Sequence, residues 1–167
     1  MSNCVGPAEA APLEGLNPGG VLYGVLAVAT VIAAESTRKE TFGKLLLAST
    51  ITMGLYWAAH AYSHHWASRL HKAGEWTLGE IKNSLRYEAS ILLGAALPLA
   101  VLAGGWIAGT STETAVTLVL WTAGLELVAL EVVPGIRRQL RLRDLAIQSL
   151  LGISMGVGIL GLRFVLH

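Results

Sequence analysis

A single cysteine, Cys4, stands in this chain of 167 residues. That excludes an internal disulfide and any metal site built from cysteines alone. Charge is also scarce: Asp, Glu, Lys and Arg make up 14% of the residues, with a formal net charge of +1. So few charges exclude an ordinary soluble domain of this length, and nucleic acid is not an expected partner. The chain has no Gly-rich nucleotide loop, no nucleophile motif and no H-E-x-x-H pattern. Without these, and with linkers too short for a soluble catalytic domain, an enzyme is not the expected reading and no cofactor is expected. Residues 1–16 contain no Lys or Arg and no apolar run before Cys4. They read as an Ala, Pro and Gly-rich disordered tail rather than a signal peptide or a lipoprotein leader.

What the chain does have is apolar length. Hydrophobic residues form 53% of it, and the mean hydropathy is +0.57. These values predict an all-α polytopic membrane bundle, with one domain over residues 17–167 and five spanning segments at about 18–35, 40–66, 87–108, 113–133 and 145–164. Asn17-Pro18 supplies a cap and a first-turn proline for the first segment, in which Gly20 and Gly24 permit close helix approach. Thr37 to Glu40 has the capping-box pattern for the second. Thr77 to Glu80 repeats that pattern before a short amphipathic stretch, expected as an interfacial helix or as leading turns of the third segment. Pro98 should kink the third segment. Thr110 with Glu113 is the expected cap of the fourth, which should stop at Pro134-Gly135. Ser149, Gly152 and Gly156 give the fifth a packing face. No internal repeat is evident, which argues against an inverted-repeat transporter within one chain.

Most of the basic residues fall in two linkers, whereas the competing loops hold only Arg38, Lys39 and Lys44, or none. Arg69, Lys72, Lys82 and Arg86 lie between the second and third segments, and Arg137, Arg138, Arg141 and Arg143 between the fourth and fifth. The positive-inside rule puts both linkers in the cytoplasm, giving a multi-pass protein of the cell membrane with its amino terminus inside and its carboxyl terminus outside. The arginine cluster then faces the anionic inner leaflet, where each cation contributes on the order of 1 kcal/mol of attraction to membrane lipids.

The second segment alone carries a continuous polar seam. At 100° per residue, Ser49, Thr52, Tyr56, His60 and Ser63 fall within about a quarter of a turn. Such groups are costly in hydrocarbon, so the seam should face other helices or water. Glu126 is the most deeply placed acid and shares a face with Thr122 one turn earlier. If the two faces meet, they gather imidazole, hydroxyl and carboxylate into a proton or cation path. The plainer alternative is a helix-to-helix hydrogen bond at Glu126 and interfacial water at His60. At the outer end Glu35 and Arg163 are placed to form an ion pair.

His60, His64 and His65 fit H-x-x-x-H-H, with two imidazoles on one helical face. The spacing resembles one histidine box of the membrane desaturases and hydroxylases, over this short stretch only. Those enzymes need several boxes for two irons. A single zinc or haem remains open, completed by a carboxylate or another subunit. Across most of its length the chain resembles a loose group of small, uncharacterised five-helix bacterial membrane proteins. The resemblance rests on Trp57-Ala-Ala-His60-Ala-Tyr62, Arg86-Tyr-Glu88 and Leu162-Arg163-Phe-Val-Leu-His167. It implies the helix count and no mechanism.

The leading expectation is a small channel or transporter for a proton, cation or small solute, with its path along the second segment, acting as a homo-oligomer or beside a membrane partner. The alternative is a noncatalytic accessory or assembly subunit docked through the Gly-rich faces. A metal- or haem-binding membrane protein is third.

Overall fold

The computed structural model describes residues 17–35, 41–71, 78–137, 139 and 141–166. Side chains at 68–71, 148, 162, 163 and 166 are outside that description. Six helices follow in order: α1 Pro18–Glu35, α2 Phe42–His71, α3 Leu78–Glu88, α4 Ser90–Ile107, α5 Thr112–Arg137 and α6 Leu142–Leu166. The protein is all-α. Only Ala89 separates α3 from α4, and its φ of −61° and ψ of −18° are themselves helical. The two therefore run on as leading turns and span, one of the two forms expected for the amphipathic stretch.

Among the described residues, four helices are long and apolar enough to cross a membrane: Pro18–Glu35, Leu78–Ile107, Thr112–Arg137 and Leu142–Gly161. These are the features of a multi-pass membrane protein. The second segment, now α2, falls short by composition because Ser49, Thr50, Thr52, His60, Ser63, His64 and His65 dilute its apolar residues. At 30 residues or about 45 Å, it nevertheless equals the Leu78–Ile107 helix in length.

α1 and α4 form the central pair. They run parallel, since Asn17 N–H donates to Ser90 Oγ (3.2 Å) at one end while Gly24 lies against Ile91 and Ala95 one turn on. The small residues decide this contact. A Cβ placed on Gly24 would meet the Ile91 carbonyl, and one on Gly94 would meet the Val21 carbonyl, so the two backbones touch where side chains normally stand. Above the crossing, Val25, Val28, Ala29 and Ile32 of α1 are fully buried with Ile91 and Leu102 of α4. α2 and α3 pack on one side of the pair, and α5 with α6 on the other. Val116, Val119, Ala123 and Leu127 form the inward stripe of α5. Gly152 and Gly156 of α6 close onto α5, the latter opposite Gly124, which is the packing face expected for this helix.

Several helix ends differ from the sequence reading. α2 continues to His71, beyond the expected residue 66. α5 runs through Pro134 to Arg137, because proline withholds one N–H from the Leu130 carbonyl without forcing the chain out of its helical path. The turn comes at Gln139, which takes φ of 50° and donates its N–H to the Ile136 carbonyl (3.0 Å). Ser111 rather than Thr110 caps α5, accepting from Thr114 N–H (3.2 Å). Thr110 instead donates its hydroxyl to the Gly105 carbonyl (3.0 Å) and ties down the end of α4. The capping box at Thr37 to Glu40 and the cap at Thr77 fall outside the described residues.

Beyond the level of Asn17 and Ser90, α2 and α3 continue together as an antiparallel hairpin. Trp57 Nε1 donates to the Leu85 carbonyl (3.1 Å), and the His64 and Tyr87 rings meet at 5.5 Å. The 11 residues of α3 carry this hairpin about 16 Å past the start of α1.

Candidate functional site

The inward stripe of α3 is Ile81, Leu85 and Glu88, spaced four and three residues apart. Amphipathic spacing therefore delivers a carboxylate to the position where the next core side chain belongs. Glu88 is 2% exposed, and its Oε2 makes no hydrogen bond. An ionisable neighbour stands on α2: His60 Nε2 lies 4.0 Å from that oxygen. The His60 ring in turn stacks on Tyr56 one turn earlier, with centroids 5.7 Å apart, and meets Tyr23 of α1 at 5.8 Å. Three helices thus bring one carboxylate, one imidazole and two phenols together near the Asn17–Ser90 end of the α1–α4 crossing.

Tyr23 and Tyr56 also line a groove of about 390 Å³ between α1 and α2. Leu26, Ala27, Val31 and Met53 make its apolar wall, and Thr30 and Thr52 stand along it. The groove opens on the side of the bundle, and Tyr23 is 52% exposed there.

The polar seam of α2 is only partly internal. Ser49 is fully buried, with no hydrogen bond to its Oγ. Thr52 is exposed at the groove, Tyr56 and His60 are half-buried, and Ser63 is exposed with its hydroxyl donated to the His60 carbonyl (2.9 Å). The reason is geometric. Leu45, Ser49 and Met53 recur every fourth residue and define the face turned inward, so the later seam residues drift to its edge.

Glu126 is not brought to His60. It sits on α5, which packs against α1, α4 and α6, whereas α2 packs against α1, α3 and α4. Its Oε2 is buried and makes no hydrogen bond. Thr122, its expected companion, donates its hydroxyl to the Leu118 carbonyl of its own helix (2.8 Å). The acid that the sequence reading paired with His60 is therefore replaced, in the structure, by Glu88.

The three histidines of the box point apart. His60 turns to Glu88, His64 is exposed against Tyr87, and His65 is 4% exposed beside a cavity of about 120 Å³ with Ala61, Tyr62 and Ile81. Among the described residues no three His, Cys, Asp or Glu side chains converge as metal ligands. Glu35 is half-buried at the end of α1, but the Arg163 side chain lies outside the described residues, so their ion pair does too. Arg137, Arg141 and Arg143 are exposed around the α5–α6 turn, and Arg138 lies outside the described residues.

Tyr23 escaped the sequence reading because one aromatic near the start of an apolar helix carries no signal of its own. Glu88 had a visible signal, an acid at the seventh place of an i, i+4, i+7 stripe, but depth in the apolar segments favoured Glu126. Compared with known proteins, the chain matches no family model, no curated protein and no solved structure.

Proposed function

We propose that the protein is a small membrane channel or transporter for protons or small cations, in which Glu88 and His60 are the charge-handling pair. One observation carries this reading: a carboxylate with almost no exposure and an unbonded oxygen lies beside an imidazole, in a bundle of membrane-length helices. A buried acid without hydrogen bonds destabilises a fold, and inside a membrane such a group ordinarily serves an ion path.

The parallel course of α1 and α4 supports five crossings. Two spans that cross in the same direction require the chain to return between them, and α2 has the length to do so. α2 then crosses with Ser49 and His65 buried and Tyr56 and His60 half-buried, which spares part of its polar surface from lipid. The positive-inside orientation, amino terminus in the cytoplasm, puts Glu88 and His60 near the inner surface, with the α2–α3 hairpin in the inner headgroup region. A single protomer of this size calls for a second copy or a membrane partner to complete a route.

Proteoliposomes loaded with a pH-sensitive dye test the proposal under an imposed potassium diffusion potential. Proton or cation flux should fall to the level of empty liposomes in Glu88→Gln and His60→Ala, while Glu126→Gln retains it. Unchanged flux in Glu88→Gln refutes the assignment, and loss confined to Glu126→Gln moves the charge-handling step to α5.

The accessory-subunit reading is favoured by α6, whose described residues bury only Gly152, Gly156 and Ile159 and leave most of its surface for lipid or a second protein. The Gly-rich faces serve it in part, since Gly104, Gly158 and Gly161 are exposed and meet nothing within 4 Å. Gly20, Gly24, Gly94, Gly105, Gly152 and Gly156 all pack within the chain.

A further inference from the structure

We infer that the lateral groove between α1 and α2 binds a lipophilic organic cation, its apolar body against Leu26, Val31 and Met53 and its charge against the faces of Tyr23 and Tyr56. Three observations lead to this ligand class. The volume, about 390 Å³, falls in the range of roughly 300–1,000 Å³ typical of small-molecule sites. The wall is mostly apolar and opens sideways from the bundle, so the ligand must be soluble in the membrane; a bare metal ion would find no carboxylate there to replace its water.

The third observation is electrostatic. No residue lining the groove is basic. At its inner end two phenol rings meet the His60 ring at 5.7 and 5.8 Å, and the buried Glu88 carboxylate stands 4.0 Å behind that imidazole. With His60 neutral, the phenol faces and the carboxylate present negative potential, which attracts a cation and repels an anion. A lipid acyl chain would fill the same volume without using either feature.

The proposal rests on the same carboxylate as the transport reading. Equilibrium binding separates the two, because it requires no flux. The probe is tetraphenylphosphonium, titrated into the purified full-length protein in detergent by calorimetry, with tetraphenylborate as the anion of the same shape. Saturable binding of one phosphonium per chain is expected, with no binding of the borate above empty micelles. Glu88→Gln should weaken binding by about tenfold, the order of one charge at an effective dielectric of about 20. Tyr23→Leu should weaken it by about fivefold, while Tyr23→Phe, which keeps the ring face, stays at the wild-type value. Tyr23 is half-exposed, so neither change threatens the fold. Equal binding of borate and phosphonium, non-saturable partition, or indifference to both Glu88→Gln and Tyr23→Leu overturns the proposal. Binding that follows the expected pattern while flux is absent upholds it and removes the transport reading alone.

Discussion

Replacing Gly24 by Ala tests what holds the central pair together. The added methyl carbon would meet the Ile91 carbonyl and approach the Ala95 nitrogen to 3.2 Å, both of them backbone atoms that no rotamer change can move. The helices must then separate by roughly 1 Å, a gap that forfeits a quarter to a half of the dispersion attraction along the crossing. Overpacking of this kind costs about 1–3 kcal/mol. Alanine's better helix propensity returns about 1 kcal/mol of that. Gly54 on α2 is the control, since a Cβ there meets nothing within 4 Å. Gly54→Ala should therefore be neutral or stabilising by up to about 1 kcal/mol, so the two substitutions differ by about 2 kcal/mol, roughly thirtyfold in the folded-to-unfolded ratio. Reversible unfolding in mixed micelles of increasing dodecyl sulfate content, followed by far-UV circular dichroism, reads that difference. Adding Gly94→Ala to Gly24→Ala should cost less than the separate effects combined, because one displacement relieves both contacts. If Gly24→Ala is as stable as Gly54→Ala, the close backbone approach is not what seats α1 on α4.

Two further outcomes follow from hydrogen bonds that the fold depends on. Ser111→Ala should destabilise the α4–α5 turn by about 1 kcal/mol, the usual value of a lost N-cap, and the same unfolding assay will show it; Thr114 N–H is the donor left exposed. Trp57→Phe removes the bond to the Leu85 carbonyl and should cost about 1 kcal/mol, with hydrogen exchange rising first in α3, which depends on α2 for its packing.

Local chemistry made the helices legible and left their neighbours open. Asn17-Pro18 begins α1 where a cap and a first-turn proline should, and Gly20 with Gly24 is used for close approach as its spacing suggests. Gly152 and Gly156 act likewise on α6. Periodicity, however, says which side of a helix is inward and not which helix it faces. The seam of α2 was readable as a seam, yet its partner depends on α1 meeting α4 through Gly24 and Gly94, a pairing between residues 70 positions apart. Once those two helices stand together, α2 packs beside them and Glu126 remains with α5 on the far side. The one-residue difference between Thr110 and Ser111 has a simpler cause: both hydroxyls can cap, and the end of α4 claimed the first.

The modest hydropathy of α2 bears on how the chain is made. In the five-crossing arrangement, α2 packs on α4 as well as on α1 and α3, and α4 begins only at Ser90, so α2 leaves the ribosome before one of its partners exists. A nascent chain released before α4 would hold α2 with its polar residues short of one packing partner in the lipid. Quality control during biogenesis would therefore act on the α2–α4 pairing, well before any ion or ligand meets the finished protein.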